Sequence, residues 1–228
     1  MNTPTASTKT SRTLGIARVG SLAIAALALV ALTGCDDPAK GKAKATTGEA
    51  TSVESKALSP SSVSYEFNQA TSKVEWVGSK VTGKHEGGFK TFAGRVSLVD
   101  KAPEKSSVTV EIDTDSLYSD SDKLVSHLKT ADFFDVAQFP KASFASTEVK
   151  AGGERGASQT VTGNLTLHGV TKSITFPATI KVNPGGVDVD AEFSINRKDF
   201  GLVYAGKPDD LIRDDVVIKL TIRAQNKS

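Results

Sequence analysis

The chain predicts an all-β antiparallel fold with one short helical insertion, and three observations carry that prediction. Short segments with an apolar residue at every second position recur from Val63 to the C-terminus, separated by glycine, proline and other turn formers. One stretch, between Asp113 and Asp135, breaks the alternation and spaces its apolar residues as a helix does. No strand–helix–strand unit repeats, so a parallel sheet covered by helices is not expected.

The first 62 residues stand apart from that pattern. Residues 1–20 are polar with scattered positive charge, and Ser21 to Leu32 is a short apolar run ended by Thr33-Gly34-Cys35. Such a run is below the roughly 20 residues that a spanning helix needs, and its flanks are those of a secretory signal. The stretch Leu32-Thr33-Gly34-Cys35 resembles the lipobox of bacterial lipoproteins, in which the chain is cut before the cysteine and the thiol is acylated. The alternative is an ordinary signal peptide that happens to hold the chain's single cysteine. Residues 1–34 are therefore expected to be a lipoprotein signal peptide, and Cys35 the lipidation site. Asp36 and Asp37 resemble residues that keep some lipoproteins in the inner membrane. From Asp36 to about Ser62 large apolar side chains are almost absent, so residues 35–62 are expected to form a lipidated, disordered tether.

Residues 63–226 are expected to be one domain. Val63 to Phe67 and Val74 to Val77 are the first strands, the second carrying Trp76, the only tryptophan. A glycine-rich turn runs from Gly83 to Phe89. Phe92, Gly94, Val96 and Leu98 then share one strand face, and Val108, Val110 and Ile112 share another. In the helical insertion Ser119 or Ser121 can cap the start, while Leu124, Val125 and Leu128 fall on one side. Phe133, Phe134 and Phe139 follow, and Pro140 ends the excursion. Strands resume at Ser143 to Val149 and turn at Gly152-Gly153.

The stretch Val161 to Phe176 reads as a hairpin around His168-Gly169. Gly163 lies on its apolar face, where a glycine marks a bend or a close backbone approach. Pro177 indicates a bulge or an edge position. Val187 to Ile195 and Val216 to Ile222 close the chain. Eight or nine antiparallel strands of this kind either close as a barrel or pack as a sandwich, and periodicity alone leaves that open.

Charge and composition exclude several functions. The three basic residues of the first 34 (Lys9, Arg12, Arg18) leave 25 basic against 26 acidic residues from Cys35 on, which gives no footprint for nucleic acid. Three histidines, at a turn, a helix and another turn, lack ligand-like spacing, so no metal site is expected. The paired acids Asp209-Asp210 and Asp214-Asp215 lack the ligand ladder of a calcium loop. No nucleophile elbow, zinc-protease helix or phosphate loop is present, and no second catalytic group is placed by sequence beside His85 or His168.

Residues from about Ser62 to Ala224 resemble the YceI-like family, periplasmic polyisoprenoid-binding proteins with an extended lipocalin-like barrel. The resemblance rests on Val74 and Trp76; Gly83, His85, Gly87 and Phe89; Phe92 with Gly94; Ser116-Leu117; and His127-Leu128. It continues through Asp132-Phe133-Phe134-Asp135, Phe139-Pro140, Phe144 with Ser146, Gly163, Leu165-Thr166 and His168 to Lys172, and ends on Arg197 with Asp199-Phe200-Gly201. The loop Lys207 to Asp215 has no counterpart in that pattern.

The resemblance implies an eight-stranded antiparallel lipocalin-like barrel that binds rather than catalyses. A polyprenyl chain, an isoprenoid quinone or a fatty amide would lie inside with its head near the mouth, and no cofactor is implied. Ten of fourteen aromatic residues are phenylalanine, which suits a dry lumen because no ring hydroxyl needs a partner. Candidate ligand contacts are Trp76, Phe89, Phe92, Phe133, Phe134, Phe144, Phe176, Phe193, Arg197 and Phe200, with plain core packing the alternative for each ring. Arg197 would hold a head group or else pair with Asp199 or another acid. The expected partners are a hydrophobic small molecule and the membrane through Cys35, with a homodimer the oligomeric option. The expected place is the periplasmic side of the cell envelope. The competing reading is an envelope interaction domain with a filled core.

Overall fold

Alternation of apolar and polar residues becomes a continuous curved sheet in the computed structural model, which describes residues 37–52 and 61–226. The signal peptide, Cys35 and the tether residues 53–60 lie outside the described residues. In chain order the strands are β1 (Ala43–Lys44), β2 (Thr46–Glu49), β3 (Ser62–Asn68), β4 (Lys73–Lys80), β5 (Gly83–Phe89), β6 (Phe92–Val99), β7 (Ala102–Asp113) and β8 (Leu117–Ser119). After helix α1 (Asp122–Leu128) come β9 (Lys141–Ala151), β10 (Gln159–Leu167), β11 (Val170–Asn183), β12 (Gly186–Asn196), β13 (Gly206–Lys207), β14 (Asp210–Leu211) and β15 (Asp215–Asn226).

Eight of these close a ring. β12, β11, β10, β9, β7, β6, β3 and β15 pair in that order, each antiparallel to the next, and β15 pairs back onto β12. The fold is thus a closed eight-stranded antiparallel barrel with one helix, and the sandwich alternative is set aside. β15 is the seam. Along one edge it pairs with β12 from Asp215 to Gln225, while its other edge is divided between β4 at Val217 to Thr221 and β3 at Gln225 and Asn226. The β4–β5 hairpin and β8 extend from that seam beside the ring.

Local chemistry explains the elements. His168 (φ 51°) and Gly169 (φ 72°) form the two-residue turn between β10 and β11, both in the left-handed region that a tight antiparallel hairpin requires. Ser121 caps α1, its Oγ accepting from the Leu124 amide at 3.3 Å, and Leu128 is buried with Leu124 and Val125 against the same core. Pro177 pairs with Thr160 on β10 and falls where β11 changes its other neighbour, between Thr175 (paired with β2) and Thr179 (paired with β12). A residue with no N–H is tolerated at such an interruption.

Residues 37–52 depart from the disordered tether expected of them. β1 runs parallel to β12 at Phe193 and Ser194, and β2 runs antiparallel to β11 from Lys172 to Thr175. Ion pairs Lys42–Glu192 (2.7 Å), Lys44–Asp215 (2.7 Å) and Lys172–Glu49 (2.8 Å) fasten the strap, and the Thr51 backbone exchanges hydrogen bonds with the Asn164 amide. The physical reason is that β11 and β12 separate here. Each leaves an edge of unpaired backbone groups, and those groups rather than apolar burial order the segment. Composition reports only the second. Ala43 and Ala45 are buried, small enough to enter the gap.

Aromatic rings lie across glycines of neighbouring strands. Phe67 on β3 is opposite Gly94 on β6, and a Cβ at Gly94 would overlap its ring. Gly163 likewise accommodates Phe144, beside a register shift between β9 and β10. Gly94→Ala is expected to lower the unfolding free energy by about 1–3 kcal/mol. Gly185→Ala, where nothing lies within 4 Å of the added methyl, should stay within about 0.5 kcal/mol of the parent. Urea denaturation of both variants checks this, and equal midpoints would remove the ring-on-glycine account.

Candidate ligand cavity

The barrel encloses a cavity of about 460 Å³ whose wall is almost entirely apolar, within the range of small-molecule sites. Both halves of the core contribute. Phe67, Val74, Val96 and Leu98 come from one side, and Val161, Ile174, Ile195 and Ile218 from the other.

Three strands of the ring, β9, β11 and β12, carry a cluster of aromatic rings. Phe176 on β11 and Phe193 on β12 lie nearly parallel with centroids 4.2 Å apart, and Phe144 on β9 is tilted against Phe176 at 5.8 Å. Trp76 on β4 is opposite Gly87 on β5 and lies where a Cβ at Gly87 would be. Toward α1, Phe89 meets Phe134 edge-on at 6.0 Å, and Phe133 packs beside His127 (5.0 Å) and Tyr204 (5.3 Å). Leu124 and Leu128 of the helix join Phe133 and Phe134 on the cavity wall, so α1 and the turn after it cover that end. The two phenylalanines reach the wall together because they occupy a turn, free of the alternation that would part them on a strand.

Seven of the candidate rings therefore meet at one cavity: Trp76, Phe89, Phe133, Phe134, Phe144, Phe176 and Phe193. Two do not. Phe92 is buried at the start of β6 opposite Ile112, in the part of the core that holds Ala142. Phe200 is fully buried in the tight turn Arg197–Phe200, sealed off from the lumen. Alternation placed Phe92 on the inward face, but its neighbours Ile112 and Ala142 form the cavity wall there and Phe92 does not reach it. Cys35 lies outside the described residues. The aliphatic wall from Val161, Leu165, Ile218 and Leu220 was present in the same alternation and was given less weight than the rings.

Three charged or titratable side chains touch the cavity, Lys80, His85 and Arg197. Arg197 is buried and makes four hydrogen bonds. Nε donates to Arg213 O (3.1 Å), Nη1 to Leu202 O, and Nη2 to Ile212 O (3.4 Å) and Asp214 Oδ1 (3.3 Å). Its acid partner is Asp214, and Asp199, two residues away in sequence, does not take that role. Burial pushes the guanidinium pKa down, and the charge of Asp214 opposes that shift. Arg197 thus ties the loop from Leu202 to Asp214 to the end of β12.

Lys80 pairs with Asp210, and His85 Nδ1 lies 2.9 Å from Asp120 Oδ1. Each of the two keeps more than a third of its side chain exposed, which marks where the cavity reaches solvent. The Asp120 partner corrects the sequence reading, which placed no acid beside His85. Ser119 Oγ, in the same network, donates to Asp120 at 2.8 Å. Asp120 titrates below the usual carboxylate range; burial works against this and is outweighed by hydrogen bonds from Ser119 and His85, the charge of His85 and a backbone hydrogen bond from Glu86. His127 pairs with Asp132 at 2.8 Å, and His168 packs on Phe139. Among the described residues no three metal-binding side chains come together.

A closed lipocalin-like barrel around an apolar cavity defines a hydrophobic-ligand-binding protein. The chain belongs to the YceI-like family, whose domain description matches residues 65–224. It is 38% identical over 139 residues to a UPF0312 protein of Pseudomonas putida strain W619, covering 58% of this chain and 71% of that one. A UPF0312 protein of Pseudomonas fluorescens strain SBW25 is 37% identical over the same length and shares. Among solved structures, Burkholderia cenocepacia BcnA superposes with a TM-score of 0.61 at 26% identity, over 70% of this chain and 99% of that one. A polyisoprenoid-binding domain from Saccharophagus degradans superposes with a TM-score of 0.56 at 17% identity, over 72% and 99%.

If Arg197 is the fastening of the rim, Arg197→Met should cost about 2–4 kcal/mol, because several buried acceptors lose their donor. Arg197→Lys should not restore it, since an ammonium cannot reach the same fork of acceptors. Chemical denaturation, with amide exchange of residues 202–213, measures both effects, and a lysine variant of parental stability would refute the role.

Proposed function

We propose that this protein holds one long-chain isoprenoid or similar amphiphilic lipid in its barrel, as a carrier or sensor anchored at the periplasmic side of the cell envelope. The observation that carries the reading is the cavity itself, several hundred cubic ångströms bounded almost entirely by apolar side chains, with Lys80, His85 and Arg197 the charged or titratable side chains on its wall. A filled core would favour the competing envelope interaction domain. The name of the Saccharophagus degradans relative, a polyisoprenoid-binding domain, supports the same ligand class. Burying about ten methylenes contributes on the order of 8 kcal/mol before ordering costs, enough for a useful complex.

The tail lies along Phe144, Phe176 and Phe193, and the head comes to rest near Lys80 and His85. Asp120 occupies His85 Nδ1 and leaves Nε2 for a hydroxyl or carbonyl of the head group. Arg197, bonded to three backbone carbonyls and Asp214, is assigned to the loop and not to the head group.

Mass spectrometry of lipid extracted from protein purified without delipidation should return a species with a long apolar chain. Leu165→Trp, which fills the lumen opposite Phe144, should reduce bound lipid about tenfold or more. Reproducibly lipid-free parent protein would end the carrier reading. For the anchor, Cys35→Ala should abolish metabolic labelling with a fatty acid and release the domain from membranes or block its processing. Unchanged labelling would refute lipidation at that residue.

A further inference from the structure

Four large hydrophobic side chains stand exposed among the described residues, Val63, Val81, Val203 and Leu211. Single exposed apolar residues are ordinary. Three of these four, however, belong to one end of the barrel. Val81, at the tip of the β4–β5 hairpin, donates its amide to Leu211 O at 3.2 Å, and Lys80 bridges to Ile212 beside it. The Ile212 amide donates to Ala205 O at 3.0 Å, which draws in the loop carrying Val203. Arg197 holds Leu202, Ile212 and Arg213 by their carbonyls from beneath. Three apolar side chains, one from the β4–β5 turn and two from the loop Leu202 to Asp214, are thus fixed in one rim around the opening marked by Lys80 and His85.

The same rim receives the start of the described chain. Asp37 pairs with Arg213 at 3.5 Å before the strap runs on through β1 and β2. Cys35 is two residues earlier in sequence, and two residues span at most about 7 Å.

We propose that the rim bearing Val81, Val203 and Leu211 is the face this protein lays on a lipid bilayer, so that the cavity opens directly onto the acyl layer. The charges at the rim decide the kind of bilayer contact. Lys80, Lys84 and Arg213 each have an acid partner, Asp210, Glu86 and Asp37 respectively, and Asp209 sits near Lys207 in the same hairpin. Among the described residues of the rim the charges alternate in sign, so docking works through apolar insertion, on neutral lipid as well as anionic lipid, with little dependence on salt. Three side chains are too few to hold a protein at a membrane unaided. The acyl anchor gives residence and the rim gives orientation, which removes the need for the lipid to cross water on its way in. This inference rests on the anchor and the cavity put forward above, and the measurements below separate them.

The processed, acylated full chain is reconstituted into phosphatidylcholine vesicles with a polarity-sensitive fluorophore on Leu211→Cys or, at the opposite end of the barrel, Val63→Cys. The fluorophore at 211 should shift to the blue and be quenched by spin labels on the acyl chains, and the one at 63 should report water at any salt concentration. Both in water, or the one at 63 quenched, overturns the proposal. The triple variant Val81→Ser, Val203→Ser, Leu211→Ser should take a fluorescent polyprenyl lipid from vesicles about tenfold more slowly than the parent, and take it from detergent micelles at the parental rate. An unchanged rate from vesicles also overturns the rim. A parent that takes lipid from neither source would defeat the binding reading, while the depth measurement still decides the rim.

Discussion

The structure depends on aromatic rings lying flat on glycine backbone. An eight-stranded barrel is just wide enough for its inward side chains to fill it, and ten phenylalanines and a tryptophan would do so readily. Here Trp76 folds over Gly87, Phe67 over Gly94 and Phe144 over Gly163. Each missing side chain lets a ring lie along the wall instead of across the axis. The ring keeps its apolar contact and the lumen stays open. A methyl group at any of these glycines pushes a ring inward, so the same few positions govern both stability and ligand space.

A second constraint acts at the mouth. A buried guanidinium is unfavourable unless its donors are satisfied, and Arg197 meets that condition with the carbonyls of a polar loop that would otherwise have little to hold it. The stretch Lys207 to Asp215 has almost no apolar residues apart from Leu211 and Ile212, too few to fold onto the barrel by burial. Its order comes from hydrogen bonds, to Arg197 at the end of β12 and to Ser79, Lys80, Val81 and Thr82 at the end of β4 and the turn after it. The attachment of Asp37 and the placement of Leu211 follow from those connections.

Alternation made the barrel strands legible, and the break at Ser119 to Asp135 located the helix, because both are local patterns of burial. The cavity-lining rings were legible for the same reason. What the sequence hid was of another kind. β1 and β2 are ordered by backbone pairing with a splayed pair of strands, which leaves no trace in the composition of Ala43 to Glu49. Phe92 has the right parity, yet its neighbours Ile112 and Ala142 take the cavity wall, a packing choice that parity does not encode. The partner of Arg197 is Asp214 and not the nearer Asp199, and His85 finds Asp120 across 35 residues, both contacts created by chain crossings that spacing does not encode.

The separation of β11 from β12 has a practical consequence. The family-matched region begins at residue 65 and so omits the strap, yet β1 and β2 occupy the two edges that this separation uncovers. A protein trimmed to the matched region would present bare amide and carbonyl rows on Phe193–Ser194 and Lys172–Thr175, which is how strands of separate molecules come to join. Clumping of such a fragment would reflect a missing cover and not an unstable barrel.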